Sequence, residues 1–159
     1  MKGKQAARIL VIDDEESVRK SLAFVLEDEG YAVDVAENGH EAIKKSKANV
    51  YNLALVDLRL PDMDGIELLT TLREAVPKMI KIIITGYPSL ENAIEAVNRG
   101  ADGYMVKPYT MEKLLDTIKE HLQKQQEARK YSEEKVKEFI EARAEEHETK
   151  TRAKHGSNR

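Results

Sequence analysis

The chain has 159 residues, 41% hydrophobic and 35% charged, with 26 Lys and Arg against 29 Asp and Glu for a formal charge of −3. That length supports one domain with a real core plus a short addition, and leaves no room for a second folded domain. The absence of cysteine excludes a disulfide framework or thiolate metal site, the near-neutral charge gives no bias toward nucleic acid, and no segment approaches the roughly 20 apolar residues of a membrane span.

Short apolar runs recur along the chain, each of strand length. The first, RILVID (8–13), precedes ESVRKSLAFVLEDEG, in which Val18, Leu22, Val25 and Leu26 share one helical face that Gly30 can close. YAVDVA (31–36) alternates more than the other runs, which suits an edge strand, and GHEAIKKSKA has helical character. LALVD (53–57) ends on an acid and breaks into a turn bracketed by Pro61 and Gly65, after which GIELLTTLREA reads as helix. KIIIT (81–85) is followed by SLENAIEAVNRG, with Ser89 as N-cap and Gly100 as the residue past the C-cap. GYMVK (103–107) precedes a fifth stripe at Met111, Leu114, Leu115, Ile118 and Leu122. Five βα repeats with nearly continuous strands predict a doubly wound parallel sheet covered by helices on both faces.

From Gln123 the sequence is charged, free of Gly and Pro to residue 150, and suited to a helical extension. Heptads laid from Leu115, Ile118 and Leu122 place Gln125, Arg129 and Ser132 on the seam before Val136 and Phe139 resume, a poor coiled coil. The division expected is 1–122 as the folded domain, 123–150 as the helical extension and 151–159 as a disordered tail.

Open α/β sheets bind ligands outside the carboxyl ends of their strands. Strand one finishes with Asp13 and Asp14, strand three with Asp57, strand four with Thr85 and strand five with Lys107 followed by Pro108. Carboxylates a few Å apart repel by about 4 kcal/mol per pair at an effective dielectric near 20, so keeping them ionised calls for a cation. A hard divalent ion such as magnesium takes carboxylates, waters and phosphate oxygens. A carboxylate is also a nucleophile toward phosphorus, and transfer then depends on positioning and charge neutralisation. Asp57 is therefore expected to be the acceptor of a phosphoryl group.

With VIDDEE, LVDLRLPDMDG, IIITGYP and GYMVKPY in this order and spacing, the sequence resembles a response regulator receiver domain of two-component signalling over about residues 8–122. The resemblance implies a five-stranded flavodoxin-like (βα)5 fold. It also implies Asp57 as phosphoacceptor, Asp14 as direct Mg2+ ligand, Asp13 helping through water and the Arg59 backbone carbonyl as a further ligand, with Mn2+ able to substitute. Thr85 and Lys107 would bind phosphoryl oxygens, and a cis peptide would precede Pro108. Thr85 and Tyr104 would form the switch: Thr85 moves toward the phosphoryl group and Tyr104 turns into the space. Arg59 and Tyr87 flank the site, where they can control water access. The implied partner is a sensor histidine kinase or phosphotransfer protein in the cytoplasm, and the domain is a signalling switch rather than an enzyme.

The rival enzyme class is a magnesium phosphatase resembling the haloacid dehalogenase group, but that group has D-x-D on its first strand where this chain has DDEE. No G-x-G-x-x-G or G-x-x-x-x-G-K-[ST] points to nucleotide binding. The extension does not resemble a helix-turn-helix, so direct DNA binding by this chain is not expected. The output is either that of a stand-alone receiver acting by protein contact or that of a receiver fragment of a longer transcriptional regulator. Val136, Phe139 and Ile140 could pack on the receiver, pair with a second copy, or bind a partner helix. His40, His121, His147 and His155 lack ligand spacing.

Overall fold

The computed structural model describes residues 6–156. Strands and helices alternate: β1 (Arg8–Ile12), α1 (Glu16–Asp28), β2 (Ala32–Ala36), α2 (Gly39–Ala48), β3 (Leu53–Asp57), α3 (Gly65–Ala75), β4 (Ile80–Thr85), α4 (Leu90–Asn98), β5 (Gly103–Val106) and α5 (Met111–Gly156). All strand pairs are parallel, in the order β2-β1-β3-β4-β5. The alternating β2 run lies at the sheet edge, as its pattern required.

Successive side chains on a strand point to opposite faces, and this splits the core in two. Leu10, Ile12, Ala54, Val56 and Ile83 pack with Ile66, Leu69 and Leu72 of α3 and Ala96 of α4. Ile9, Val11, Leu53, Leu55, Ile82 and Ile84 pack with Leu22 and Leu26 of α1 and Leu114 and Ile118 of α5. Each fully buried Leu or Ile contributes about 1.5–3 kcal/mol of transfer free energy. The continuous apolar runs are thus the two faces of one sheet, read alternately.

Local chemistry sets the element ends. The Ser89 hydroxyl accepts from the Asn92 N–H at 3.0 Å, capping α4, and Gly100 follows its end at φ +105°. Gly30 past α1 lies at φ +98°, a left-handed conformation that favours glycine. Asn38 caps α2 by accepting from the Glu41 N–H at 2.8 Å, and Asp64 caps α3 by accepting from the Ile66 N–H at 2.8 Å.

The chain divides into two units, Met1–Leu122 and Gln123–Arg159. In the second, Tyr131, Val136, Phe139 and Ile140 are exposed, the Lys135 ammonium lies 5.5 Å from the Tyr131 ring centroid, and the Arg143 guanidinium 5.2 Å from that of Phe139. Helix α5 is described to Gly156, a run that takes in residues 151–156. The physical reason is that neither Gly nor Pro interrupts the extension before Gly156, so nothing in its backbone stops the helix earlier. Residues 157–159 lie outside the described residues. Among the described residues no helix is long and apolar enough to cross a membrane.

Candidate functional site

The strand order reverses between β1 and β3, which opens a crevice at their carboxyl ends. Asp57 is the last residue of β3, whereas β1 stops at Ile12, so Asp13 and Asp14 begin the loop into α1. Asp13, Asp14 and Asp57 each offer an oxygen within 4.8 Å of the others. Lys107, one residue past β5, reaches in from the other side: its Nζ is 3.6 Å from Asp13 Oδ2 and 3.7 Å from Asp57 Oδ2. Thr85 ends β4, one residue beyond Ile84, the registered partner of Asp57. The peptide between Lys107 and Pro108 is cis.

Backbone donors hold Asp13, Asp57 and Thr85. Asp13 Oδ1 accepts from the Glu15 N–H at 2.9 Å, so Oδ2 is the oxygen nearer Lys107. Asp57 Oδ1 accepts from the Arg59 N–H at 3.1 Å, and the fully buried Thr85 hydroxyl accepts from the Tyr87 N–H at 2.9 Å. The Lys107 N–H donates to the Thr85 carbonyl at 2.8 Å, tying the two strand tips. Gly65 lets α3 start against β3, since a Cβ there would sit 2.5 Å from the Asp57 carbonyl oxygen. The intervening loop is anchored by Asp62, which accepts from the N–H groups of Gly39 and His40 at 2.8 and 2.9 Å and also contacts the His40 ring. Against the opposing effect of burial, these bonds hold the Asp62 carboxyl down at about 2.

Burial pushes the Asp57 carboxyl above its ordinary value; the Arg59 N–H and Lys107 oppose this, while Asp13 and Asp14 reinforce it. Burial also works against the Lys107 charge, but Asp57 and then Asp13 outweigh it and hold the ammonium above its ordinary value. Like charges thus share one crevice with the Lys107 ammonium beside them, and a proton or cation is the natural relief.

The family model for the response regulator receiver domain matches residues 9–119. The chain belongs to that family. It is similar to the transcriptional regulatory protein ZraR of Klebsiella oxytoca, 39% identical over 122 residues that cover 77% of this chain and 27% of ZraR. It is 40% identical to the transcriptional regulatory protein ResD of Bacillus subtilis over 112 residues, covering 70% of this chain and 46% of ResD. Among solved structures, a CheY-like receiver domain protein from Methanospirillum hungatei superposes with a TM-score of 0.77 at 43% identity, covering 78% of this chain and 99% of that one. The chain spans about a quarter to a half of the length of these two curated relatives.

The receiver fold brings Asp13, Asp14, Asp57 and Lys107 into one acidic pocket. Its donors are hard oxygens, which fit Mg2+ or a similar divalent cation and not a soft metal. Arg59 belongs to the same rim: its guanidinium stacks 3.4 Å from the Tyr87 ring centroid, bridging the loops that follow β3 and β4. Tyr104 of β5 pairs in register with Ile83 of β4 and packs against the core face under α3 and α4, with its hydroxyl buried and without a hydrogen-bond partner.

Two further residues neighbour the pocket without having been singled out from the sequence. Tyr109, just past the cis peptide, lines a small cavity with Asp13 and Asp57, and burial pushes its phenol up. Arg19 occupies an unremarked position of α1, yet donates to the Asp13 carbonyl at 2.8 Å and lies 3.8 Å from Glu37. Spacing alone could not reveal it, because a cation on a helix next to an apolar stripe is usually solvated.

Proposed function

We propose that this receiver accepts a phosphoryl group on Asp57 from a histidine kinase or phosphotransfer protein, with Mg2+ held by Asp13, Asp14, Asp57 and the Arg59 carbonyl. An Asp57 oxygen forms the new bond to phosphorus as the donor's phosphorus–nitrogen bond breaks and its electrons return to the imidazole. The cation, Mn2+ serving in place of Mg2+, would neutralise charge on the transferring oxygens. Lys107, already within 4 Å of Asp57, stabilises another phosphoryl oxygen, and the Thr85 hydroxyl binds a third. The observation that carries this reading is the convergence of Asp13, Asp14, Asp57 and Lys107 at the sheet's topological reversal.

Phosphorylation then shifts a population between two packings, with Thr85 drawn to the phosphoryl group and Tyr104 biasing the surface around α4 and β5. On this reading, residues 1–122 are the phosphoacceptor domain and 123–150 a charged helical extension. The chain works in the cytoplasm as a signalling switch that catalyses only its own phosphorylation and dephosphorylation. Its output runs through protein contact, with a second copy of the chain among the candidate partners and no direct DNA contact by these residues. The alternative, a receiver portion of a longer transcriptional regulator, is favoured by the relatives' names and by the share of their length that the chain spans.

Incubation with a small acyl phosphate and Mg2+, read by intact mass, tests the assignment. Wild type should gain one phosphoryl group, Asp57→Asn none and Lys107→Ala far less. Uptake by Asp57→Asn equal to wild type would refute it.

A further inference from the structure

Helix α1 contributes no ligand to the acidic pocket, yet one of its side chains grips the backbone that carries two of the acids. Arg19 Nη1 donates to the Asp13 carbonyl oxygen at 2.8 Å, while Nη2 lies 3.8 Å from a Glu37 carboxylate oxygen in the loop between β2 and α2. The Arg19 side chain is only 13% exposed, against 63% for Glu37. A side chain buried to that degree has given up much of its hydration, so its guanidinium is oriented by the hydrogen bond to the Asp13 carbonyl and by the Glu37 charge rather than by solvent.

The carbonyl it holds belongs to the peptide linking Asp13 to Asp14. A peptide unit is planar, so a bond to its oxygen restrains rotation of the whole unit that joins the two Asp Cα atoms. The other end of that loop is fixed independently: the Asp13 N–H donates to the Ala36 carbonyl at 3.1 Å, and Asp13 Oδ1 accepts from the Glu15 N–H at 2.9 Å. Without Arg19, the Asp13–Asp14 peptide keeps its ends but loses the bond that resists its rotation. The positive charge also lies against the backbone of an acid pair, where it offsets part of the repulsion among the three carboxylates.

We propose that Arg19 is a positioning residue for the metal pocket, acting through the Asp13–Asp14 peptide and itself oriented by Glu37. The inference rests on the proposed cation site formed by Asp13, Asp14 and Asp57. Partners of this outer kind typically change metal affinity by about 10–100-fold when removed. Arg19→Ala should therefore weaken Mg2+ binding by at least about tenfold. Arg19→Lys, which keeps the charge but lacks the two-pronged donor, should fall between wild type and Ala. Glu37→Gln should give a smaller loss.

The test is Mg2+ titration of the intact chain by calorimetry, with thermal unfolding of the same variants in chelator and in Mg2+. Stabilisation by a ligand scales with the logarithm of one plus its concentration over Kd. At about 100 times the wild-type Kd, a tenfold weaker site therefore loses about half of the metal-dependent stabilisation. A merely structural Arg19 would lower Tm equally in chelator and in metal. Equal Mg2+ affinity in wild type, Arg19→Ala and Arg19→Lys overturns the inference, and where Arg19→Ala does not fold, Arg19→Lys and Glu37→Gln decide it by the same titration. Failure of wild type to bind Mg2+ overturns the cation site itself, and the inference with it.

Discussion

Replacing Asp57, the proposed acceptor, should make the metal-free protein more stable while abolishing phosphoryl uptake. Asp57 is within 4.8 Å of an oxygen of Asp13, which at an effective dielectric of 20 repels it by about 3.5 kcal/mol. Asp14 is exposed, and solvent screening reduces its repulsion to about 1–2 kcal/mol. Lys107 at 3.7 Å returns about 4.5 kcal/mol. These terms nearly cancel, and burial of the carboxylate tips the balance against the ionised form, the same direction in which its titration is displaced.

Asp57→Asn keeps the oxygen that accepts from Arg59 and removes the charge, so in chelator at pH 7 it should unfold at higher urea concentration, by about 1–2 kcal/mol. The sign with pH follows from the raised value in the fold. The folded state holds the Asp57 proton more tightly than the unfolded chain, so the cost of ionisation is full above the folded value and disappears as pH falls below the ordinary value of 3.8. The advantage of the asparagine variant should accordingly shrink on acidification toward about pH 4. Added Mg2+ should narrow or reverse the difference, because a site with one fewer carboxylate gains less from the ion. An Asp57→Asn protein no more stable than wild type in chelator at pH 7 would refute the charge balance described here.

Tyr104→Phe removes a buried hydroxyl that has no partner, and should stabilise the fold by about 1 kcal/mol in urea unfolding; a loss of stability would mean that the hydroxyl is bonded in solution. Gly65→Ala forces a Cβ to 2.5 Å from the Asp57 carbonyl and 2.8 Å from the Leu58 Cα, so unfolding should move down by about 1–3 kcal/mol or more, with slower phosphorylation because the acceptor strand shifts. Unchanged stability would show that α3 can start elsewhere.

Much of the fold could be read from one dimension. Apolar runs of strand length, the helical stripe of Val18, Leu22, Val25 and Leu26, and end signals such as Ser89 and Gly100 are local properties, and each maps onto an observed element. The strand tips were legible for the same reason: an acid at the end of LALVD and a lysine after GYMV stand out against the apolar run that precedes them. The edge position of β2 followed from its alternation.

What a chain of letters does not contain is the side-chain geometry between segments distant in sequence. That Lys107 lies nearly equidistant from Asp13 and Asp57 depends on β1, β3 and β5 converging in space. Arg19 gripping the Asp13 carbonyl, Asp62 capping a helix from another loop, and the Arg59–Tyr87 stack are equally products of packing. Hydrophobic periodicity is written residue by residue because water acts on each side chain locally. Directional bonds between far-apart groups exist only once the backbone has set their distance and angle, so the tertiary structure alone decided them.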